Sequence, residues 1–235
     1  MATSDILDIL DNEQVRSIQT LCLNPCLDIT VMADELTIGE LNLYDSLSAH
    51  PGGKGLNVAS HLSRKGLNSS TILAMPKISR GFSNAFADAR YGACEYQVPG
   101  ELRINIKVNV RGEGGDVTMT EINGTGDRID AETAAGLVDM LLNSARTSNV
   151  LVLSGSLLPG IPADIYSRLS KCSHTSNGIT VLDASHASMQ MAVKAGVDAF
   201  KPNLDELRQL TGLPCDKIEQ VARTTELYCR SEACD

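Results

Sequence analysis

The second half of the chain alternates short apolar runs with amphipathic segments. "NVLVLSGS" (149–156), "GITVLDAS" (178–185) and "AFKPN" (199–203) read as strands. Around them, "IPADIYSRLSKC", "SMQMAVKAG" and "LDELRQLTG" carry apolar residues at helical spacing. This alternation predicts βαβ units and a parallel sheet. It places "LSGS", "LDAS" and "KPN" at the carboxyl edge of the strands, where ligands bind in such sheets. The first half is less regular. Residues 5–18 have helical periodicity, which predicts a leader helix over residues 1–19 before an α/β domain over 20–235. "TLCLNPCLDITVMA" (20–33) reads as a strand, a proline-bent turn and a second strand. A glycine loop then opens a helix at about 55–65, followed by the strand "STILAM" and a short helix in "FSNAFADARYG" (82–92).

Two stretches break the parallel pattern. "LRINIKVNV" and "VTMTEI" flank "RGEGGD", whose adjacent glycines supply the positive φ angles of a hairpin. With the strand-like stretch 36–48, this predicts a small β lid from about 34–50 and 100–123. "DAETAAGLVDMLLNSA" (130–145) returns to the helical period, with Asp130 placed to cap it.

Composition narrows the function classes. Among 235 residues, 43% are hydrophobic and 21% charged, enough for a full core. A net charge of -9 with no basic stripe argues against nucleic acid as the partner. No apolar run is long enough to cross a membrane. Seven cysteines, an odd number without a C-x-x-C pair, predict neither a disulfide framework nor a zinc site. The acidic N-terminus lacks the basic region of a signal peptide, so the expectation is a cytoplasmic protein with reduced thiols.

Four stretches carry candidate chemistry. In "HPGGKGLN" (50–57), Gly55 follows Lys54, so the P-loop pattern fails for want of a hydroxyl after the lysine. What remains is a glycine turn feeding a helix N-terminus, a cradle for a polyhydroxylated or anionic molecule or simply a tight turn. Asp28, just past a proline bend, either accepts hydrogen bonds from vicinal hydroxyls or stabilises its own turn. Strict alternation puts Arg103, Asn105 and Lys107 on one face, where an arginine can clamp a phosphate or simply face solvent. In "KPNLDEL", Asn203 and Glu206 are spaced to converge on hydrated magnesium, or to cap the helix that follows.

Together, "LNPCLD", "PGGKGLN", "LRINIKV", "TEINGTG", "LSGSLLPGIP", "LDAS" and "KPNLDEL" resemble, in order and spacing, the ribokinase-like sugar kinases. The resemblance spans roughly residues 20–215 and is nearest to the phosphofructokinase B branch, which includes 1-phosphofructokinase and tagatose-6-phosphate kinase. It implies a three-layer fold, a parallel sheet with helices on both faces, plus the β lid. It also implies transfer of the ATP γ-phosphoryl group to a sugar hydroxyl, with ATP and magnesium as cofactors and a possible homodimer through the lid. By motif position, Asp28, Gly52, Gly53, Lys54 and Asn57 would hold the sugar and Arg103 its phosphate. Ser154 and Ser156 would line the same pocket. Lys201, Asn203 and Glu206 would serve the nucleotide side, with Asn203 and Glu206 meeting magnesium through water. The lid segment "GELNL" resembles the 1-phosphofructokinase version, since Asn42 and Leu43 provide no cation; this favours fructose 1-phosphate, giving fructose 1,6-bisphosphate.

Departures from the family pattern bear on catalysis. The Gly-Ala-Gly-Asp stretch, which in the family supplies an anion hole and the catalytic base, does not occur in these 235 residues. The expectation is therefore a C-terminally truncated family fold without its catalytic base, of doubtful activity by itself. "GTGD" (124–127) imitates the stretch but precedes "KPN", so Asp127 is read as a loop residue. The usual threonine before the arginine is Leu102, and "MPKISRGF" replaces a glycine-rich region. Two readings follow: a sugar-phosphate kinase, or a non-catalytic sugar-phosphate-binding or regulatory relative.

Overall fold

The computed structural model describes residues 17–77, 92–112 and 114–232. Most of the expected leader helix and of the short helix at 82–92 lies outside the described residues.

Six parallel strands form the main sheet. They are β1 (Ile18–Cys22), β4 (Ser69–Lys77), β5 (Gly92–Glu101), β8 (Val150–Ser154), β9 (Ile179–Asp183) and β10 (Ala199–Phe200), in the order β10-β9-β8-β1-β4-β5. Alternation along these strands sorts the core into two layers. Leu21, Ile72, Ala74, Leu151, Leu153 and Leu182 pack with apolar residues of α2 (Ala131–Ala145), α3 (Ile165–His174) and α4 (His186–Ala195). Their neighbours Cys22, Leu73, Met75, Ile18, Val150 and Val152 turn the other way, onto Leu56, Val58 and Leu62 of α1 (Lys54–Arg64). Helices thus cover both faces, as the alternation predicts. Asp130 caps α2 by accepting the Thr133 N–H at 2.7 Å.

Strand β10 is two residues long where the sequence predicts five, because Pro202 has no N–H to extend the ladder. Two elements had no counterpart in the sequence reading: the edge strand β5 and helix α6 (Ile218–Glu232).

The second sheet is the lid, in the order β3-β2-β6-β7. Strands β6 (Arg103–Arg111) and β7 (Val117–Asn123) form the expected antiparallel hairpin. One of the lid's two inner strands, however, is β2 (Cys26–Ala33), which pairs parallel with β6 and antiparallel with β3 (Ser46–Gly52). The expected strand at 36–48 is shifted to 46–52, and residues 35–45 form a loop closed by Asn42. That side chain accepts from the Thr37 N–H at 2.7 Å and donates to the Thr37 carbonyl at 2.8 Å. An amide that bonds nearby backbone in this way competes with a ladder.

At the amino edge of the main sheet, Asp198 accepts from the Thr180 N–H at 2.8 Å and pairs with His174 Nε2 at 2.8 Å. Burial alone would raise its carboxyl pKa; the Thr180 and His174 contacts outweigh this and hold it below the ordinary value. A depressed folded pKa stabilises above the unfolded value of about 3.9 and ceases to do so as pH falls through the folded value. Asp198→Asn is therefore expected to lower the urea midpoint at pH 7, with the gap to the parent chain closing as pH falls below about 4. A gap that stays constant down to pH 3 would remove the carboxylate from this role.

Candidate active site

The glycine loop joins lid to core. Gly52 ends β3, Gly53 turns the chain at φ 129°, and Lys54 opens α1. Gly53 accommodates this turn because a Cβ there would collide with Cys22 Sγ as well as strain the backbone. At Gly55 a Cβ would land on the Leu21 carbonyl oxygen, so α1 starts pressed against the carboxyl end of β1. The buried Thr20 hydroxyl fastens it by donating to the Gly55 carbonyl at 2.8 Å. No side chain caps α1 and no acid lies in its first turn, which leaves the positive end of its dipole toward the loop.

A cleft of about 220 Å³ opens between this helix end and the lid. Cys26 and Asp28 of β2, Gly53, Lys54 and Asn57 of the loop and α1, Arg103, Asn105 and Lys107 of β6, and Glu121 and Asn123 of β7 line it. Asp28 and Asn105 are partners across the β2–β6 ladder. Asn105 Nδ2 donates to Asp28 Oδ1 at 2.9 Å, and the Cys26 thiol points to the same oxygen at 3.3 Å. Burial pushes the Cys26 thiol up to about 12 and the Cys22 thiol up to about 11, so both are neutral at physiological pH and neither is a nucleophile. Cys22, Cys26, Cys94, Cys172 and Cys215 are free thiols.

Arg103 makes the most contacts in the cleft. Its Nε and Nη2 donate to the Asn24 carbonyl at 3.1 and 2.9 Å. Nη1 donates to the Gly124 carbonyl at 3.1 Å and to Asn105 Oδ1 at 3.2 Å. One of its five N–H groups is left for a ligand. The guanidinium thereby joins the β1–β2 turn, the segment after β7 and the amide that orients Asp28.

At the carboxyl edge of the main sheet, two ammonium groups meet on one carboxylate. Lys54 Nζ lies 3.0 Å and Lys201 Nζ 3.3 Å from Asp183 Oδ1. The other sequence-selected residues sit apart from the cleft. Gly52 is buried beside Asp28. Ser154 is fully buried, its hydroxyl donating to the Leu21 carbonyl at 3.2 Å while Tyr166 holds its own carbonyl at 2.8 Å. Ser156 is exposed and accepts from Asn24 Nδ2 at 3.3 Å. Asn203 and Glu206 form a reciprocal capping box on α5 (Leu204–Thr211), each side chain accepting the other's N–H at 2.8 Å. Asp127 lies in the segment after β7 and accepts from the Glu101 N–H at 2.9 Å.

A carboxylate and several cations around a glycine-lined helix end, between a parallel sheet and a β lid, match a known group of proteins. The profile of pfkB family carbohydrate kinases covers residues 22–227. The chain belongs to this family. It is 28% identical over 204 residues to the 1-phosphofructokinase of Bacillus subtilis, covering 86% of this chain and 65% of that protein. It is 30% identical over 197 residues to the tagatose-6-phosphate kinase of Staphylococcus epidermidis, covering 82% and 62%. The chain thus spans just under two thirds of the length of these curated relatives. Among solved structures, Escherichia coli phosphofructokinase-2 in complex with substrates and products aligns with a TM-score of 0.80. That alignment has 22% identity and covers 92% of this chain and 70% of the other. A possible 1-phosphofructokinase of Thermotoga maritima aligns at 0.76, with 18% identity and 92% and 69% coverage. These likenesses show the pfkB fold.

In and beside the cleft, sequence reasoning did not select Cys26, Glu121 and Asn123, which line it, or Asp183, which holds Lys54 at its edge. Asn105 and Lys107 were visible as companions of Arg103 on one strand face but had no assigned role. For Asp183 the signal was its place at the end of a strand, in "LDAS".

Proposed function

We propose that this chain forms the sugar-phosphate side of an ATP-dependent kinase whose acceptor is a phosphorylated ketose, fructose 1-phosphate in the first instance. One observation carries the reading: Asp28, oriented by Asn105 and Cys26, shares a small cleft with Arg103 and Lys107. A fixed carboxylate suits vicinal hydroxyls, and nearby cations suit a phosphate. Names of relatives support a sugar phosphate, and two of them favour the 1-phosphate. The lid loop adds to this, because residues 35–45 contain no Lys or Arg and Asn42 is engaged with Thr37.

Phosphoryl transfer depends chiefly on positioning and charge stabilisation. Asp28 would hold the sugar, and the α1 N-terminus with Lys54 would offer positive charge beside the acceptor hydroxyl. Lys201, gathered with Lys54 on Asp183, would extend that charge toward the nucleotide side. The donor set of the capping box fits a hydrated magnesium ion, since one Glu206 oxygen stays outside the box and magnesium takes oxygen ligands through water. Bound there, magnesium would neutralise phosphate charge.

Calorimetry with fructose 1-phosphate, tagatose 6-phosphate and unphosphorylated fructose tests the reading. The parent chain is expected to prefer a phosphorylated ketose. Asp28→Asn is expected to weaken phosphorylated and unphosphorylated ligands alike, by roughly tenfold, for loss of hydrogen bonds to a charged group. No binding of any of the three would sink the reading.

The same proposal includes a homodimer through the lid. The lid face turned away from the cleft, one position out of phase with Asp28, Lys107 and Glu121, exposes Leu47, Ile104 and Ile122, an apolar face of the kind that marks an interface. Ile122→Glu is expected to convert a dimer to monomers in sedimentation, and a parent chain that is already monomeric at micromolar concentration would remove the dimer.

A further inference from the structure

We infer that Lys107 is the residue that reads the ligand's phosphate, and that Glu121 holds it in check; this rests on the function proposed above. Three cations line the cleft, and their engagements differ. Lys54 is tied to Asp183 at 3.0 Å. Arg103 has donated four of its five N–H groups to protein acceptors, so it cannot present the two free parallel donors of a bidentate clamp. Among the described residues Lys107 meets only Glu121, at 3.9 Å, beyond hydrogen-bond reach. Its ammonium therefore keeps its donors for a ligand.

The placement fits. Asp28 pairs with Asn105 and Thr30 with Lys107 in the lid ladder, so Lys107 stands two residues further along the same strand face. Two strand residues span about 7 Å, so the Lys107 backbone stands about that far along the strand from Asn105, the partner of Asp28, within the length of a ketose phosphate. Glu121 faces Lys107 directly across the antiparallel β6–β7 pair. Both side chains are about one third to two fifths exposed, so their mutual attraction is weak and screened. A phosphate dianion makes shorter, stronger charge-assisted contacts and displaces Glu121 from the ammonium. A neutral sugar gives Lys107 no reason to leave Glu121. The pair therefore makes discrimination depend on the phosphate, and makes Glu121 an opposing charge whose removal should help binding.

The two roles give changes of opposite sign at exposed lid positions. By calorimetry with fructose 1-phosphate and fructose, Lys107→Met is expected to weaken the phosphorylated ligand about tenfold and leave fructose unchanged. Lys107→Arg should retain most of the affinity. Glu121→Gln should tighten the phosphorylated ligand severalfold, again without effect on fructose. Circular dichroism melts establish that each variant is folded. Equal weakening of both ligands by Lys107→Met, or no change in either while the parent chain discriminates, overturns the inference and leaves the proposed function standing. Tightening of both ligands by Glu121→Gln overturns the opposing-charge role. Binding of neither ligand by the parent chain overturns the functional reading, and the inference with it.

Discussion

Gly55→Ala is expected to destabilise the chain by about 4 kcal/mol or more, in the range reserved for a broken core contact. The added Cβ would fall on the Leu21 carbonyl oxygen, a backbone atom in the middle of the main sheet that cannot rotate aside. Relief requires α1 to lift from β1, which breaks the buried Thr20–Gly55 bond and loosens Leu56 from Cys22, Leu73 and Met75. At roughly 2–4 °C per kcal/mol for a chain of this size, the melting midpoint should fall by about 10 °C. Ligand affinity should fall with it, because Lys54 and Asn57 ride on the displaced helix end. His61→Ala, exposed on the same helix, is the control and should stay within about 0.5 kcal/mol of the parent. A Gly55→Ala chain as stable as the control would show that α1 does not press on β1 as described.

Arg103→Lys is expected to fail as a conservative change. A charge-only role predicts rescue by lysine; the hydrogen bonds predict none. A single ammonium cannot serve the carbonyls of Asn24 and Gly124 and the amide of Asn105 from one position. Leaving two carbonyls short of donors at about 1–3 kcal/mol each gives an expected loss of about 2–6 kcal/mol in urea denaturation. Because Asn105 would also lose the contact that orients it toward Asp28, affinity for phosphorylated and unphosphorylated ketoses should fall together. A stable lysine variant that keeps its preference for the phosphorylated ligand would reduce Arg103 to a source of charge.

The difference between these residues and the ones visible beforehand is physical. The near-continuous apolar runs in "NVLVLS" and "GITVLD" report burial on both faces, which is a local property, so β8 and β9 were legible. The Asp130 cap was legible because a side chain bonding three residues ahead is also local. Strand β2 was recognisable as a strand but not as an inner strand of the lid. "CLDITVMA" has the character of a strand in any sheet, and its partner in β6 lies 77 residues on. Strand β5 was hidden by its edge position, where "GACEYQVPGE" needs little apolar character. In the site, Asp28 and Lys54 stood out by motif position. Asp183 did not, because what marks it is an ion pair across 129 residues. Asn203 and Glu206 were legible in two ways at once, and a capping box uses the same spacing as a pair of metal contacts.

The parallel pairing of β2 with β6 sets the order in which the ribosome can deliver a finished lid. Cys26–Ala33 emerges early, and β3 soon after can pair with it as a hairpin. The other edge of β2 then waits for Arg103–Arg111. At about 5–20 residues per second, a separation of 77 residues keeps that edge open for about 4–15 s. During this interval the nascent chain offers an unpaired strand to any neighbouring copy on the same message, and slower synthesis between residues 52 and 103 lengthens the exposure.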